Sequence, residues 1–253
     1  MQDSLTEAWQ ERTELLLGTA ATERLRRAHV LVCGAGGVGA YAAEMLVRAG
    51  IGTLTLVDAD CVQPSNLNRQ LPALHSSLGK RKVEVMGERL LDINPAFRFL
   101  PRAEFLTPES IPQLLDGAVP QFDFVVDAID TIAPKCALLA EAYRRRLPLV
   151  SSMGAGAKSD PAAVRYGKLG ATFQCTLARA VRTRLKPMGK GLMNIPVVFS
   201  TEAADARAIL HVEERNKKST CGTISYLPAI FGCYLAAFVL KRLAAGKEVL
   251  TEK

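Results

Sequence analysis

The 253-residue sequence contains six cysteines but no C-x-x-C pair, and no secretory signal precedes them. The missing pairs argue against a four-cysteine zinc site, and the missing signal argues against a secreted disulfide framework. The three histidines (His29, His75 and His211) lack the spacing of metal ligands, so we assign them no chemistry. We therefore expect free thiols and a reducing, cytoplasmic location.

The apolar run from Ile224 to Leu240 is seventeen residues long and contains Pro228 and Gly232. A helix that crosses a bilayer needs about 20 residues. A helix that is apolar on all sides is typical of a protein interior. We therefore predict a C-terminal helix over 223–244 that is buried or packed against a second subunit, and no membrane association.

Acidic residues are fewer than basic ones by seven, and the sequence pI is about 9.2. This balance favours an anionic partner such as RNA or nucleotide phosphates. At 49% apolar residues the chain is long enough for one large domain, and we expect a single domain over 1–253. Its first 27 residues predict a charged helical arm.

Short apolar runs alternate with helical patterns through residues 28–154, the predicted nucleotide-binding core. Predicted strands cover 28–33, 53–58, 97–100, 123–129 and 147–152, and predicted helices cover 37–49, 80–94, 108–115 and 134–146. This βαβ order predicts an α/β, Rossmann-like, doubly wound and mostly parallel sheet with helices on both faces. Ligands then bind at the carboxyl ends of the strands.

After Gly154 the pattern breaks, with one further strand predicted at 164–169. Residues 171–220 read as an irregular, mobile, basic insertion over the expected cleft, because loops this long are usually functional or disordered. Five cations cluster in it and are candidate RNA contacts: Arg179, Arg182, Arg184, Lys186 and Lys190. A solvated charged face is the alternative explanation.

The segment "CGAGGVGA" at 33–40 places Gly34, Gly36 and Gly39 in a G-x-G-x-x-G pattern between a strand and a helix. Asp58 ends the next strand, 24 residues after Gly34. Such glycines let the backbone approach phosphates at a helix N-terminus, and the acid bonds ribose hydroxyls. The pattern predicts a dinucleotide-type fold but leaves open a nicotinamide cofactor or ATP.

The stretch "DADCVQPSNLNRQ" that starts at Asp58 favours ATP. Arg69, with Lys82 further on, can neutralise a triphosphate while Asn66 holds it and an aspartate positions magnesium. A nicotinamide enzyme has no evident need for this group. Asp127 and Asp130 follow another strand and are candidates for the same crevice, although Asp130 alternatively caps the next helix.

These residues carry a family resemblance. "GAGGVGAYAAEMLVRAGIGTLTLVDADCVQPSNLNRQ", "GKRKVEV" and "DAID" resemble the ATP-binding core of the ubiquitin-activating-enzyme superfamily, over most of residues 10–160. "AWQER", "AIDTIAPKCALL", "LVSSMGAGAKSDP", "VFSTE" and "STCGTISYLPAIFGCYLA" are similar to the tRNA threonylcarbamoyladenosine dehydratases within it, over nearly the whole chain.

The resemblance implies that ATP activates the threonyl carboxylate of the modified adenosine beside the anticodon as an acyl adenylate. The carbamoyl oxygen of the same side chain then closes an oxazolone ring. It also implies a homodimer, magnesium, and tRNA as the partner. Dependence on a monovalent cation and docking of a sulfur-relay protein stay open.

Site roles follow from the resemblance position by position. Gly37, with the other glycines, lies against the phosphates; Asp58 and its neighbour Asp60 belong to the nucleotide site, where Asp58 holds the ribose. Asn66, Arg69 and Lys82 grip the triphosphate and stabilise the transition state. Asp130 orients magnesium with Asp127 as its neighbour.

Arg12 matches a family arginine that reaches into the partner subunit's ATP site. The flanking "FGG" of the family is "TEL" here, and a solvated surface charge is the alternative explanation for Arg12.

The main rival function is adenylation of a ubiquitin-like sulfur carrier at its C-terminus. Relatives with that activity usually carry two C-x-x-C pairs for zinc, and their absence weighs against it. Cys175 or Cys221 is the candidate acceptor thiol in that case, whereas Cys33 and Cys233, in apolar runs, are predicted to lie in the core. A non-catalytic or nicotinamide-dependent Rossmann protein leaves Asn66, Arg69, Lys82 and Asp130 unexplained.

Overall fold

The computed structural model describes residues 8–118, 120–214 and 217–246. They contain a seven-stranded sheet in the order β3-β2-β1-β4-β5-β7-β6, and only β6 runs antiparallel to its neighbour. The strands are β1 (His29–Cys33), β2 (Thr53–Val57), β3 (Arg98–Arg102), β4 (Phe124–Asp127), β5 (Leu149–Ser152), β6 (Val164–Lys168) and β7 (Pro196–Ser200). A separate hairpin pairs β8 (Ile209–Glu214) with β9 (Lys217–Cys221). The doubly wound, mostly parallel sheet predicted from the sequence is confirmed.

Helices cover both faces of the sheet. They are α1 (Glu11–Leu17), α2 (Thr19–Arg27), α3 (Gly39–Arg48), α4 (Lys82–Ile93), α5 (Ser110–Asp116), α6 (Ile132–Arg144), α7 (Thr176–Leu185) and α8 (Tyr226–Ala245). One apolar core lies between the sheet and α3, α4 and α8, and the second lies between the opposite face and α5, α6 and α7. Because both faces are covered, β1 and β4 are buried along their whole length.

Helix α8 is long and apolar enough to meet the length and composition test for a membrane span. One side of it, including Leu227, Phe231, Leu235 and Val239, is fully buried against α3 and the sheet. Gly232 lets α8 approach α3 closely, since a β-carbon there would lie 2.8 Å from Tyr41 Cβ. The helix therefore forms part of the core, as the sequence predicts.

The prediction that both Cys33 and Cys233 lie in the core is wrong for Cys233, which is on α8. Cys33 is buried in β1, as expected, but Cys233 is exposed. The reason is geometric, because a helix lying on a sheet buries only one of its faces, and position 233 falls next to that face and not on it.

The prediction that residues 171–220 are irregular is also wrong. Helix α7 and strand β7 lie inside this segment, and β7 pairs with both β5 and β6 in the main sheet. Ala178, Val181 and Leu185 form the buried face of α7, and arginines placed between them hid this helical period in the sequence. The side chains of 211–220, and so that of His211, lie outside the described part of the chain.

The basic cluster therefore lies on α7 and on the turns that follow it. Helix α7 starts beside Gly154 at the carboxyl end of β5, where the Cys175 thiol accepts the Gly154 N–H at 3.3 Å. It leads to the 3₁₀ turn Lys190–Asn194, where Gly191 lies against the Tyr143 hydroxyl near the end of α6. The five cations, Arg179, Arg182, Arg184, Lys186 and Lys190, follow this course along the chain. Arg179 is in the first turns of α7, and the Arg182 guanidinium reaches back to the hydroxyl of Thr172, which precedes the helix.

Candidate active site

The strand order reverses between β1 and β4, which opens a crevice at their carboxyl ends. The glycine turn between β1 and α3 lies there. Gly34 adopts φ +100° and donates its N–H to Val57 O at 2.8 Å, and a β-carbon on it would lie 2.8 Å from Ala128 O. Glycine is therefore required at position 34 on both conformational and steric grounds.

The next two glycines lie at the N-terminus of α3, and only the first of them has open space around it. A β-carbon on Gly36 would have no neighbour nearer than Gln70 Nε2 at 3.7 Å. One on Gly37 would meet Pro228 Cβ at 3.1 Å and Arg69 O at 3.4 Å, so this residue is backed by α8 and by the loop that carries Arg69. Gly39 packs directly on Gly34 O. An open N-terminal turn backed in this way can receive a phosphate chain.

Asp58 lies beside this turn, directly after β2. Its carboxylate accepts the N–H of Ala35 at 2.6 Å and the N–H of Asp60 at 2.8 Å. Burial raises the pKa of Asp58 above its ordinary value, against the opposing effect of Lys82. The two backbone donors fix the carboxylate at the head of the glycine turn, the place where it can accept ribose hydroxyls.

Lys82 and Asp60 form an ion pair at the same edge. Lys82 Nζ lies 2.8 Å from Asp60 Oδ2, and the lysine side chain is 5% exposed whereas the aspartate is 68% exposed. Lys82 is the first residue of α4, and its N–H donates to Asp60 O. A buried ammonium held by a single exposed carboxylate is available to an incoming polyphosphate.

The loop after Asp58 carries the next two predicted residues. Asn66 is buried at the end of the 3₁₀ turn Pro64–Asn66, and its Oδ1 accepts the Gln63 N–H at 3.0 Å. The Arg69 guanidinium donates to Ser65 O and to Asn68 Oδ1, both at 2.9 Å. These contacts keep Arg69 folded along its own loop beside Gly37.

Asp127 and Asp130, three residues apart, have different environments. Asp127 is fully buried: it pairs with Lys135 Nζ at 2.7 Å and accepts the Ser151 hydroxyl at 2.5 Å. The sequence predicts Asp127 as a nucleotide-site candidate in the same crevice as Asp130, but its carboxylate is enclosed by Lys135 and Ser151. Asp130 is exposed at the crevice edge beyond β4, and one of its oxygens accepts the Thr131 hydroxyl at 3.3 Å.

Among the described residues no cluster of three or more His, Cys, Asp or Glu side chains has the arrangement of a metal site. Asp130, which the sequence predicts as a magnesium ligand, presents a single exposed carboxylate at the crevice edge.

Arg12 is not brought to this crevice. It is exposed on α1, which packs on α2 and buries none of its own residues. Leu15 and Leu16 on the same helix are 80% and 82% exposed. Within one chain the structure therefore brings together Gly34, Gly36, Gly37, Gly39, Asp58, Asp60, Asn66, Arg69, Lys82 and Asp130, but not Arg12.

Sequence reasoning missed several groups that shape the site. Lys135 donates to Ile129 O at 2.9 Å while Asp127 accepts the Ile129 N–H at 3.1 Å, so the pair fixes both backbone groups of the residue before Asp130. The Asn68 amide donates to Thr223 O at 2.9 Å. The sequence does contain a sign of the Lys135 contact, because Lys135 is the one charged residue in the otherwise apolar stretch "APKCALL".

The cysteines have separate surroundings. Cys175 caps α7, and its thiol accepts the Ala178 N–H at 3.4 Å as well as that of Gly154. Cys221 is exposed and lies against Gly156, close to the Thr223 contact. Both therefore border the turn after β5, which is next to the crevice.

We compared the sequence and the structure of this chain with those of known proteins. The ThiF family matches residues 10–253. The chain belongs to this family. The ThiF-family chain is 37% identical to tRNA threonylcarbamoyladenosine dehydratase of Escherichia coli over 95% of this chain and 96% of that protein. It is 37% identical to the protein of the same name from Bacillus subtilis over 94% and 95%. The crystal structure of the E. coli dehydratase in complex with ATP superimposes with a TM-score of 0.85 over 97% of this ThiF-family chain and 98% of that one.

Proposed function

We propose that this protein is an ATP-dependent tRNA threonylcarbamoyladenosine dehydratase that forms an acyl adenylate. One observation carries the proposal. A glycine turn at Gly36 and Gly37, with Asp58, Lys82 and Arg69 around it, occurs in a chain that matches an ATP-bound dehydratase over 97% of its length. The whole chain is then a single adenylation domain.

The reaction proceeds in two steps. A carboxylate oxygen of the threonyl group attacks the α-phosphorus of ATP, and pyrophosphate leaves. The carbamoyl oxygen then attacks the activated carbonyl carbon and AMP leaves, so the ring closes and the nucleoside loses one water. Activation is needed because AMP is a far better leaving group than hydroxide at neutral pH. The nucleophile belongs to the substrate, so no cysteine is required.

This chain's residues supply binding and charge. The backbone at Gly36 and Gly37 receives the phosphates, and the Asp58 carboxylate accepts the ribose hydroxyls. Lys82 exchanges Asp60 for phosphate oxygens, and Arg69 turns from Ser65 O towards the same charge, so both cations stabilise the transition state. Asp130 would hold magnesium, which would supply positive charge to the triphosphate and to the leaving pyrophosphate.

The wider assembly belongs to the same proposal. The protein acts in the cytoplasm as a homodimer in which Arg12 reaches the partner subunit's ATP site. Exposed Leu15 and Leu16 on the same helix support a contact with a second copy. Arg179, at the cleft end of α7, is the favoured RNA contact, and Arg182, Arg184, Lys186 and Lys190 extend the basic surface away from it. A monovalent cation and a sulfur-relay protein remain additional candidates.

The deciding experiment incubates the protein with ATP, magnesium and tRNA that carries threonylcarbamoyladenosine. Mass spectrometry of the nucleosides is expected to show loss of one water, with AMP formed in equal amount. Arg69→Ala and Asp130→Ala are expected to lower the rate at least about 100-fold. Arg27→Ala and Asp92→Ala, at exposed positions on α2 and α4, are the matched controls and should retain full activity.

The alternative function gives a different result in the same experiment. An unchanged nucleoside, together with adenylation of the C-terminus of a ubiquitin-like carrier protein, would replace the proposal with carrier activation. Full activity of Arg69→Ala or Asp130→Ala would remove that residue from the mechanism.

A further inference from the structure

A cavity of about 390 Å³ lies between α5 and the face of β1, β2 and β3, outside the set of nucleotide-site residues. Its volume falls within the range of small-molecule sites, about 300–1,000 Å³. The lining consists of His29, Thr55, Arg98, Leu100, Pro101, Arg102, Leu114, Gly117, Ala118 and Phe122. The cavity exists because α5 has only seven residues and leaves part of this face uncovered.

The floor of the cavity is polar but uncharged. His29 Nδ1 lies 2.8 Å from Pro120 O, and Nε2 lies 2.9 Å from the Thr55 hydroxyl. A carbonyl only accepts, so Nδ1 carries the proton and Nε2 accepts from Thr55. Burial lowers the pKa of His29, which keeps the ring neutral at physiological pH. Any charge recognised here is therefore recognised by other side chains.

Two arginines supply that charge. Arg98 and Arg102 lie on the same face of edge strand β3, with Leu100 between them, and both line the cavity. Within the described part of the chain neither guanidinium has a hydrogen bond or ion pair, whereas Arg144 and Arg145 each pair with Glu141. No aspartate or glutamate lines the cavity. The Asp123 carboxylate, close to the floor, already accepts the His29 N–H at 2.9 Å.

The remaining wall is apolar. Phe122 is 6% exposed and its ring lies tilted against that of His29 with centroids 4.6 Å apart, while Leu100 and Leu114 complete the surface. An apolar wall combined with two unpaired guanidiniums suits a ligand that has an apolar body and an anionic group. The floor lies under α5, and the volume of the cavity suits a small molecule.

We propose that this cavity binds a small organic anion, an aromatic or apolar molecule that carries a phosphate or carboxylate held by Arg98 and Arg102. Free metabolites of either anion type share this chemistry. The Asp58 N–H donates to Arg102 O at 3.1 Å, so the cavity borders the nucleotide edge. The test therefore has to separate the two sites.

Isothermal titration calorimetry of the full-length protein, saturated with AMP to block the nucleotide site, provides the test. The probes are phenyl phosphate, benzoate, inorganic phosphate and phenol. They are titrated into wild type, into Arg98→Gln/Arg102→Gln and into Arg165→Gln/Lys168→Gln. The last variant removes the same charge from exposed positions of β6, the other edge strand of the sheet. Thermal melting of each variant checks that the fold is retained.

Phenyl phosphate or benzoate should bind wild type at least tenfold more tightly than inorganic phosphate or phenol. Affinity should drop at least tenfold in Arg98→Gln/Arg102→Gln and stay unchanged in the β6 variant. Equal loss in both variants, equal affinity for inorganic phosphate, or no saturable binding by wild type overturns the proposal. Binding that only an RNA stem-loop shows, and that the arginine variant loses, replaces it with an RNA contact. None of these outcomes depends on the dehydratase activity.

Discussion

Lys135 and Asp127 form a fully buried ion pair, with Nζ 2.7 Å from Oδ2. The two residues flank the exposed Asp130 in the sequence. The pair grips the backbone of Ile129 from both sides. An interior ion pair is costly to desolvate, and removal of one partner leaves the other charge buried and uncompensated. Its position before the proposed magnesium ligand suggests that it shapes the turn that presents Asp130.

Lys135→Met tests the energetic side of this relationship. The variant leaves Asp127 buried without its cation, and we expect the free energy of unfolding to fall by about 3–5 kcal/mol. Urea denaturation followed by circular dichroism measures it. Lys135→Met/Asp127→Asn should recover part of the loss, because the buried charge is gone. A single variant as stable as wild type contradicts the assignment.

Gly34→Ala tests the glycine turn. The substitution combines a left-handed φ of +100° with a contact of 2.8 Å to Ala128 O, and we expect a loss of about 3 kcal/mol in the free energy of unfolding. Gly79→Ala is the matched control, since its φ is +80° but a β-carbon has no neighbour within 4 Å. It should cost about 1–2 kcal/mol from backbone strain alone. Equal losses in the two variants would show that the contact with Ala128 relaxes freely.

Asp58 predicts a dependence of stability on pH. Its pKa is raised by burial, so the folded protein holds a proton that the unfolded chain has released. The stabilisation from this proton is fully present below the ordinary pKa of 3.8 and is lost as pH rises through the raised pKa. Asp58→Asn stays neutral at every pH, so wild type should lose stability relative to this variant as pH increases from about 3 to 7.

Over the same pH range, the affinity of wild type for ATP should change in the direction opposite to its stability. Only the ionised Asp58 is a pure acceptor for ribose hydroxyls, so the affinity of wild type should rise over this pH interval. Asp58→Asn should bind ATP weakly throughout. Denaturation curves and ATP titrations at each pH supply both measurements, with Asp92→Asn as the exposed control. A stability difference that does not change with pH would falsify the assignment.

Leu15→Ser/Leu16→Ser tests the proposed homodimer. Both side chains are at least 80% exposed on α1, so the double variant should change the free energy of unfolding of one chain by no more than about 0.5 kcal/mol. It should nevertheless weaken self-association, which light scattering over a concentration series detects. Leu91→Ser, at a 41% exposed position of α4, serves as the control. A stable dimer in both variants argues that α1 lies outside the subunit interface.

The sheet and its crevice follow from local sequence signals. The period of apolar residues, the glycine pattern and the strand-ending carboxylates each depend on a few neighbouring residues, so β1, β2, β4 and the Gly34 turn were predictable. Helix α7 and strand β7 were not, because interspersed arginines hid the apolar period and only tertiary pairing with β5 identifies the strand.

The side-chain partners were harder to predict than the elements. Asp127 and Asp130 look equivalent in the sequence, and only the buried Lys135 and Ser151 separate them. The same applies to Cys233, whose apolar neighbours say nothing about which side of α8 faces the sheet. Such distinctions arise from contacts between segments distant in the chain, which periodicity does not encode.

The contact between Gly37 and Pro228 also bears on the order in which the protein is made. The glycine turn emerges from the ribosome early. The proline that backs it, and Thr223, which accepts a hydrogen bond from the Asn68 amide, emerge about 190 residues after Gly37. A nascent chain that stops before α8 lacks both contacts, and it also lacks the helix against which α3 packs. We therefore expect a chain truncated before α8 to bind nucleotide more weakly than the full-length protein.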